Sequence, residues 1–270
     1  MRPDPLIEAV LKSGVTLPSP SPSIGRLQAA AASDRSGPRD LAAIASTDPV
    51  LVGLLTRIAN TPVFPHHGPL RSLVDVIAML GGTKTIAIAV GAALQGRAAG
   101  VDPKLADAIW ARSVEVAGWA LRIAHRLRLS RLADLAFMAG LVHDAGLCVM
   151  LRRYPAEAAG FRRAIAVDFD QGASALDLAT GGDHAAIGCL VARNWKLPAP
   201  VAEAVRVHHA PALASSPPPE FADAAVIAAC LAGARRIVAG STPDWQAWGE
   251  TAAALAGIDD ALLDGLVAPG

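Results

Sequence analysis

The chain has 270 residues, 53% of them hydrophobic and 18% charged, which excludes a disordered polypeptide and is long enough to bury a real core. Lys plus Arg equals Asp plus Glu at 24 each, so no bulk charge steers the protein to DNA or any other nucleic acid. Three cysteines without a C-x-x-C pair exclude a disulfide framework and a zinc ribbon, and they suit a reducing, cytoplasmic setting.

The 58 alanines against one Tyr and five Phe lean to an all-α fold, because Ala is the strongest helix former and lets helices pack closely. The leading MRPDPLIEAV lacks the long apolar run and cleavage site of a signal peptide, and residues 1–15 read as a short helix. Pro and Ser across 14–24 keep that segment out of any helix interior. Apolar residues then recur at helical spacing: Ile24, Leu27, Ala31, followed by Leu41, Ile44, Ala45. Asp48-Pro49 is an N-cap with Pro at the first helical position, and Asn60-Thr61-Pro62 stops the helix behind it. Loop 61–70 leads to Ser72, which caps a helix from 74 to 80 ended by Gly81-Gly82. Helices are predicted from 83 to 94, from 102 to 127 and, as the most apolar and most central, from 130 to 152. Another starts at Tyr154-Pro155. Asp183 caps the next, from 184 to 195, and Leu197-Pro198 opens one that ends at His208-His209. After the loop at 215–219, helices over 220–239, 244–256 and 258–266 close the chain. The most apolar runs, 132–151 and 222–239, carry Asp134, His143 and Asp144 in the first and Asp223, Arg235 and Arg236 in the second. They read as buried helices, with no membrane as partner.

Candidate chemistry lies in the second half. His143-Asp144 can reach one divalent metal near a helix end, or hydrogen-bond to each other. His184 follows the cap residue Asp183, and His208-His209 ends a helix, where a cation suits the dipole. His66-His67, between prolines, read as solvated. Cys148, Cys189 and Cys230 lie on apolar helix faces and read as packing residues. The pairs Arg152-Arg153, Arg162-Arg163 and Arg235-Arg236 read as solvated helix faces or a patch for a phosphate. Trp245 and Trp248 share a helix face that docks the final helices.

The order of these motifs resembles the HD superfamily and, more closely, the HD-related output domain (HDOD) family. The resemblance runs over about 16 to 240. It rests on Leu17-Pro18, Asp40-Leu41 through Asp48-Pro49-Val50-Leu51, and Leu54 to Asn60. It continues through Leu70-Arg71-Ser72, Ala78-Met79-Leu80-Gly81 and Trp110 with Ser113. It ends with Ala139 to Gly146 (AGLVHDAG), Asp183-His184 with Ile187-Gly188, Trp195 with Leu197-Pro198, and His208-His209. It implies an all-α fold of two lobes: a helical lobe at 16–100 and an HD-like lobe at 101–240, with the leading helix at 1–15 and further C-terminal helices at 241–270. It also implies a bacterial regulatory role. The related phosphohydrolases hold their metal with a His, the His-Asp pair and a distant Asp, and hydrolysis needs that whole shell.

Here the implied shell is incomplete. Arg112 stands where the first His belongs, the nearest histidine is His125, and Leu231 stands where the last Asp belongs. No acid occurs between Ala224 and Gly240. Arg112, His143, Asp144, His184, His208 and His209 are therefore expected as a degenerate site. No catalysis and no required cofactor are expected. A divalent metal (Fe, Mn, Mg, Ni or Zn) on His143, Asp144, His184, His208 and His209 is the alternative to a buried hydrogen-bond network in which Arg112 neutralises Asp144. The functional expectation is a non-enzymatic signalling module that binds a partner protein or a nucleotide. The alternative is a metal-dependent phosphohydrolase with an altered ligand set.

Overall fold

The computed structural model describes residues 16–268 except 21, 34, 65–69, 71 and 97–99. The leading helix expected at 1–15 and the pair His66-His67 lie outside the described residues. Among those described the chain is all-α, without strands. It forms two compact units, Ser19–Arg97 and a second that joins Ala98–Gly270 to the segment ending at Pro18.

The first unit contains α1 (Pro22–Ala31), α2 (Pro38–Ala45), α3 (Pro49–Ala59) and α4 (Leu73–Gly96). Asp48 caps α3: its Oδ1 accepts the Val50 and Leu51 amides at 3.0 and 3.1 Å. Gly81 breaks α4 at φ 78°, a left-handed value that favours glycine, which explains why the pattern reads as two helices. Leu27, Leu55, Ile77, Leu80 and Ile88 make the core of this unit.

The second unit begins with α5 (Pro103–Arg126), α6 (Ser130–Val142), α7 (Ala145–Arg153), α8 (Ala158–Ile165) and α9 (Phe169–Thr180). It continues with α10 (His184–Asn194), α11 (Ala199–Val207), the single turn α12 (Pro211–Ala214), α13 (Ala222–Ala239), α14 (Pro243–Ala256) and α15 (Asp260–Val267). Helices α5, α6 and α13 pack mutually at its centre, and α14 and α15 pack on α13. Trp245 and Trp248 are buried there, as their shared face predicts. Cys189 and Cys230 are buried and Cys148 is half-buried. Two helical stretches, Leu73–Leu94 and Ser130–Arg153, are long and apolar enough to cross a membrane by length and composition. The apolar window of the second is 78% buried inside the protein.

The helix expected from 130 to 152 is in fact two. The chain turns at His143-Asp144, where Asp144 adopts φ −95°, ψ 10°, and restarts as α7. The restart lets α7 cross α10 at van der Waals distance. A Cβ on Gly146 would sit 2.0 Å from the His184 carbonyl oxygen, and one on Gly188 would sit 3.3 Å from the His143 carbonyl oxygen. The crossing places His143-Asp144 beside His184. At the start of the unit the Pro18 carbonyl accepts from Asn194 Nδ2 at 3.1 Å and from the indole Nε1 of the fully buried Trp195. This gives Leu17-Pro18 and Trp195 of the sequence pattern a shared physical purpose.

Helices α5 and α6 also touch backbone to backbone: a Cβ on Gly140 would fall 2.4 Å from Ala117 Cα. Gly140→Ala should therefore lower the melting temperature by roughly 5 °C, because overpacking costs about 1–3 kcal/mol and each kcal/mol moves a domain of this size by about 2–4 °C. Gly249→Ala, in open space on α14, should instead raise it slightly, since Ala exceeds Gly in a helix by about 1 kcal/mol. Thermal denaturation of the two variants beside the parent checks the opposite signs.

Candidate functional site

The six residues expected as a degenerate site come together in the second unit. Arg112 is on α5, His143 and Asp144 are at the α6–α7 turn, His184 is the first residue of α10, and His208-His209 follow α11. His143, Asp144, His184 and His208 are at most 2% exposed, and Arg112 is 8% exposed. His125, the nearest histidine to the missing first ligand, is exposed at the end of α5, and Leu231 is buried in the core.

Asp144 is the hub. Its Oδ2 lies 3.1 Å from Arg112 Nη1 and 3.0 Å from His143 Nε2. Its Oδ1 faces His184 Nε2 and His208 Nε2, both at 3.8 Å, outside hydrogen-bond range. Arg112 reaches further: Nη2 bonds Asp170 Oδ1 at 2.6 Å, and the guanidinium carbon sits 4.3 Å over the Phe169 ring. The expected ion pair between Arg112 and Asp144 is present, and it extends to a second carboxylate.

Each imidazole is tethered through Nδ1. His143 donates to the Gly140 carbonyl at 2.8 Å and His208 to the Val205 carbonyl at 2.6 Å. His184 donates to Asp177 Oδ2 and His209 to Asp244 Oδ1, each at 2.7 Å. For His184, His208 and His209 these acceptors take the Nδ1 proton and turn Nε2 toward the cluster. The Nε2 atoms of His184, His208 and His209 are buried and have no hydrogen-bond partner. The network is present on the Oδ2 side of Asp144, while on the Oδ1 side three unpartnered imidazole nitrogens converge. The ligand atoms of Asp144, His184, His208 and His209 all lie within 4.8 Å of one another.

That donor set fits a divalent metal. Ligating histidines characteristically give their other N–H to a carboxylate or carbonyl, as all three do here. His143, the fifth metal candidate, turns its Nε2 to Arg112 and Asp144 Oδ2 instead.

The surrounding charges were not legible as motifs. Arg235, expected on a solvated face, is 2% exposed, because α13 buries it beneath α14. It bonds Asp244 Oδ2 at 2.7 Å, Asp170 Oδ1 at 3.2 Å and the His208 carbonyl at 2.9 Å. Arg236, its neighbour, pairs with the exposed Asp260 and Asp264. The carboxylate sought on α13 is absent there, while Asp170 from α9 and Asp244 from α14 supply acids instead. Helix α14 lies outside the 101–240 lobe drawn from the sequence, yet it contributes to the site. No short motif announces Asp170, Asp177 or Asp244; each is an acid in or next to a helical first or last turn.

The electrostatics follow from burial. Burial and then Arg235 push His209 well below the ordinary histidine value. Burial, despite Asp144 and with the help of Arg235, holds His208 down to about 3. Burial opposes charge on His184, but Asp177 outweighs it and raises that imidazole. Asp144 stays well below the carboxylate range, since His143, His208 and Arg112 together overcome its burial. Arg235 and Arg112 do the same for Asp170, whereas burial wins at Asp244 and raises it. The acids Asp144, Asp170 and Asp244 alternate with the guanidiniums of Arg112 and Arg235, and Asp177 pairs with His184.

Comparison with known proteins bears on the fold and the family. A crystal structure of an HDOD domain protein with unknown function from Geobacter sulfurreducens superposes with a TM-score of 0.67 and 20% identity over 97% of this chain and 92% of that one. A Shewanella amazonensis SB2B protein provisionally named a phosphohydrolase gives 0.65 and 24% over 98% and 94%. A Marinobacter aquaeolei VT8 protein provisionally named for signal transduction gives 0.66 and 21%, over 99% of this chain and 59% of that one. An uncharacterized protein of Treponema pallidum (strain Nichols) is 25% identical over 173 residues, 63% of this chain, and the match spans only 33% of that protein's length. The profile of the HDOD domain matches residues 17–211, and the chain belongs to the HDOD family.

Proposed function

We propose that the protein is a non-catalytic, cytoplasmic regulatory module of HDOD type that signals through a partner protein or a nucleotide. We propose further that its His/Asp cluster is a closed structural metal site rather than a hydrolytic centre. The observation that carries this reading is the Arg112 guanidinium seated between Asp144 and Asp170. It takes the Oδ2 face of the one carboxylate that an HD-type hydrolase would share between ligand groups, and a guanidinium cannot lose its proton to ligate a metal.

The other face supports a single divalent ion held by Asp144, His184, His208 and His209. Four protein ligands would fill the shell of a structural site, whereas catalytic sites keep a position open. Three imidazoles and one carboxylate favour zinc, iron, nickel or manganese over magnesium. Such an ion supplies a cross-link between the α6–α7 turn, α10 and the end of α11. Asp144 itself is 1% exposed. The provisional names of the structural neighbours point both to signal transduction and to phosphohydrolysis. Arg112 is what favours the first.

Two measurements test this. Cyclic dinucleotides and simple phosphate esters incubated with manganese or iron should survive. Turnover above about 0.01 per second that His143→Ala abolishes would overturn the non-catalytic reading, since enzymes typically run from about 1 per second. Zinc or cobalt titrated into the metal-stripped full chain should bind one ion per chain, and His184→Ala and His208→Ala should each weaken that binding measurably; a wild type that takes up no ion refutes the metal site.

Arg112→Ala takes the shared guanidinium from the buried carboxylates of Asp144 and Asp170. Breaking a buried pair from one side costs about 3–5 kcal/mol, so the melting temperature should fall by roughly 10 °C. Arg112→Lys should recover only part of the loss, because an ammonium cannot fork to both acids. Differential scanning calorimetry of the metal-free forms checks both.

A further inference from the structure

The family match ends at residue 211, but the cluster does not. The His208 carbonyl accepts from two donors that lie beyond that limit: Trp248 Nε1 of α14 at 3.0 Å and Arg235 Nη1 of α13 at 2.9 Å. Trp248 is fully buried. The next residue, His209, gives its Nδ1–H to Asp244 Oδ1 at 2.7 Å, and Arg235 Nη2 clamps the other oxygen of that carboxylate at the same distance. Arg235 Nη2 also comes within 3.0 Å of His209 Nδ1, so the shorter contact places the ring proton toward Asp244. Asp244 stands in the first turn of α14, behind the cap Thr242, where the dipole favours a carboxylate.

An imidazole turns freely about its ring bond until its second nitrogen is tied down. For His209 the only carboxylate tether among the described residues is Asp244, and it leaves Nε2 bare inside the cluster. We infer that α14 is a built-in positioning element of the metal site, with Asp244 orienting the His209 ring and Trp248 fixing the His208 backbone. The inference rests on the metal reading given above. By linkage, an ion at the cluster and the docking of α14 must favour each other to the same degree, so whatever draws α14 away also loosens the ion.

The test is a double-mutant cycle on the full chain, with cobalt chloride as the probe and both the visible absorption of bound cobalt and the dissociation constant as readouts. Asp244→Asn should weaken cobalt binding by about 10–100-fold, the usual loss when an outer partner of a metal ligand is removed, and should shift the absorption bands. In a His209→Ala background, where no ring remains to orient, the same substitution should change affinity less than about threefold. Asp260→Asn weakens the contacts of α15 to Trp245 and Arg236 and leaves those of Asp244 and Trp248 at His209 and His208 in place, so it should bind cobalt like the wild type. If Asp244→Asn does not fold, Asp244→Glu, which keeps a countercharge for Arg235, is read by the same criterion of non-additivity. Wild-type affinity in the Asp244 variant, an equal loss in the His209→Ala background, or an equal loss in Asp260→Asn would each overturn the positioning role. A wild type that binds no cobalt would overturn the metal reading itself, and this inference with it.

Discussion

A carboxylate has been taken out of water at Asp144, and the second unit is arranged around answering it. Burying an unpaired ionised acid costs several kcal/mol or more. Here the two oxygens are answered from opposite sides. One faces a guanidinium and an imidazole, and the other faces bare imidazole nitrogens. Helices α5, α10 and the end of α11 each send one charged or ligating group toward that acid. Arg112 binds not only Asp144 but Asp170, and Arg235 binds Asp170 and Asp244, so the two guanidiniums and three acids alternate through the interior. Removing any one of them strands its neighbours, which is why a region with so little visible catalytic equipment is under strong stability constraint.

Close helix packing makes this convergence feasible. Side chains as short as Asp and His meet only if the backbones that carry them nearly touch, and the α7–α10 crossing at Gly146 and Gly188 has no room for a Cβ on the first of them. The alanine-rich composition has the same effect at a coarser scale, thinning the helices so that α5, α6 and α13 lie close together. Gly146, which follows the His-Asp pair, therefore has a packing reason that is independent of any chemistry at that pair.

Much of this was legible in the residues alone, and the exceptions share a cause. Helical spacing and caps such as Asp48 and Asp183 carry strong local signals, and the structure follows them closely. The six-residue cluster was legible because its motifs are ordered along the chain. The break at His143-Asp144 was not, since an apolar run gives no sign of a turn whose reason is a tertiary crossing. Arg235 was misread for a similar reason. Next to Arg236 it looks like half of a solvated pair, but consecutive residues on a helix face different ways, and only one of these two faces α14. Asp170, Asp177 and Asp244 are common residues in common positions. Their meaning comes from what three-dimensional packing sets opposite them.

The clasp between Pro18 and the 194–195 corner has a consequence for the order of events on the ribosome. The Pro18 carbonyl and the Trp195 indole are 177 residues apart in the chain. At about 5–20 residues per second, synthesis of the intervening chain takes on the order of ten to thirty seconds. Over about the second half of that time the whole of Ser19–Arg97 has been made, while Pro18 still lacks Trp195. The nascent chain therefore passes through a stage in which Ser19–Arg97 can be finished and the Pro18 carbonyl still lacks its indole partner. Contacts of such long sequence separation form late, because loop closure must be accomplished before they reward it.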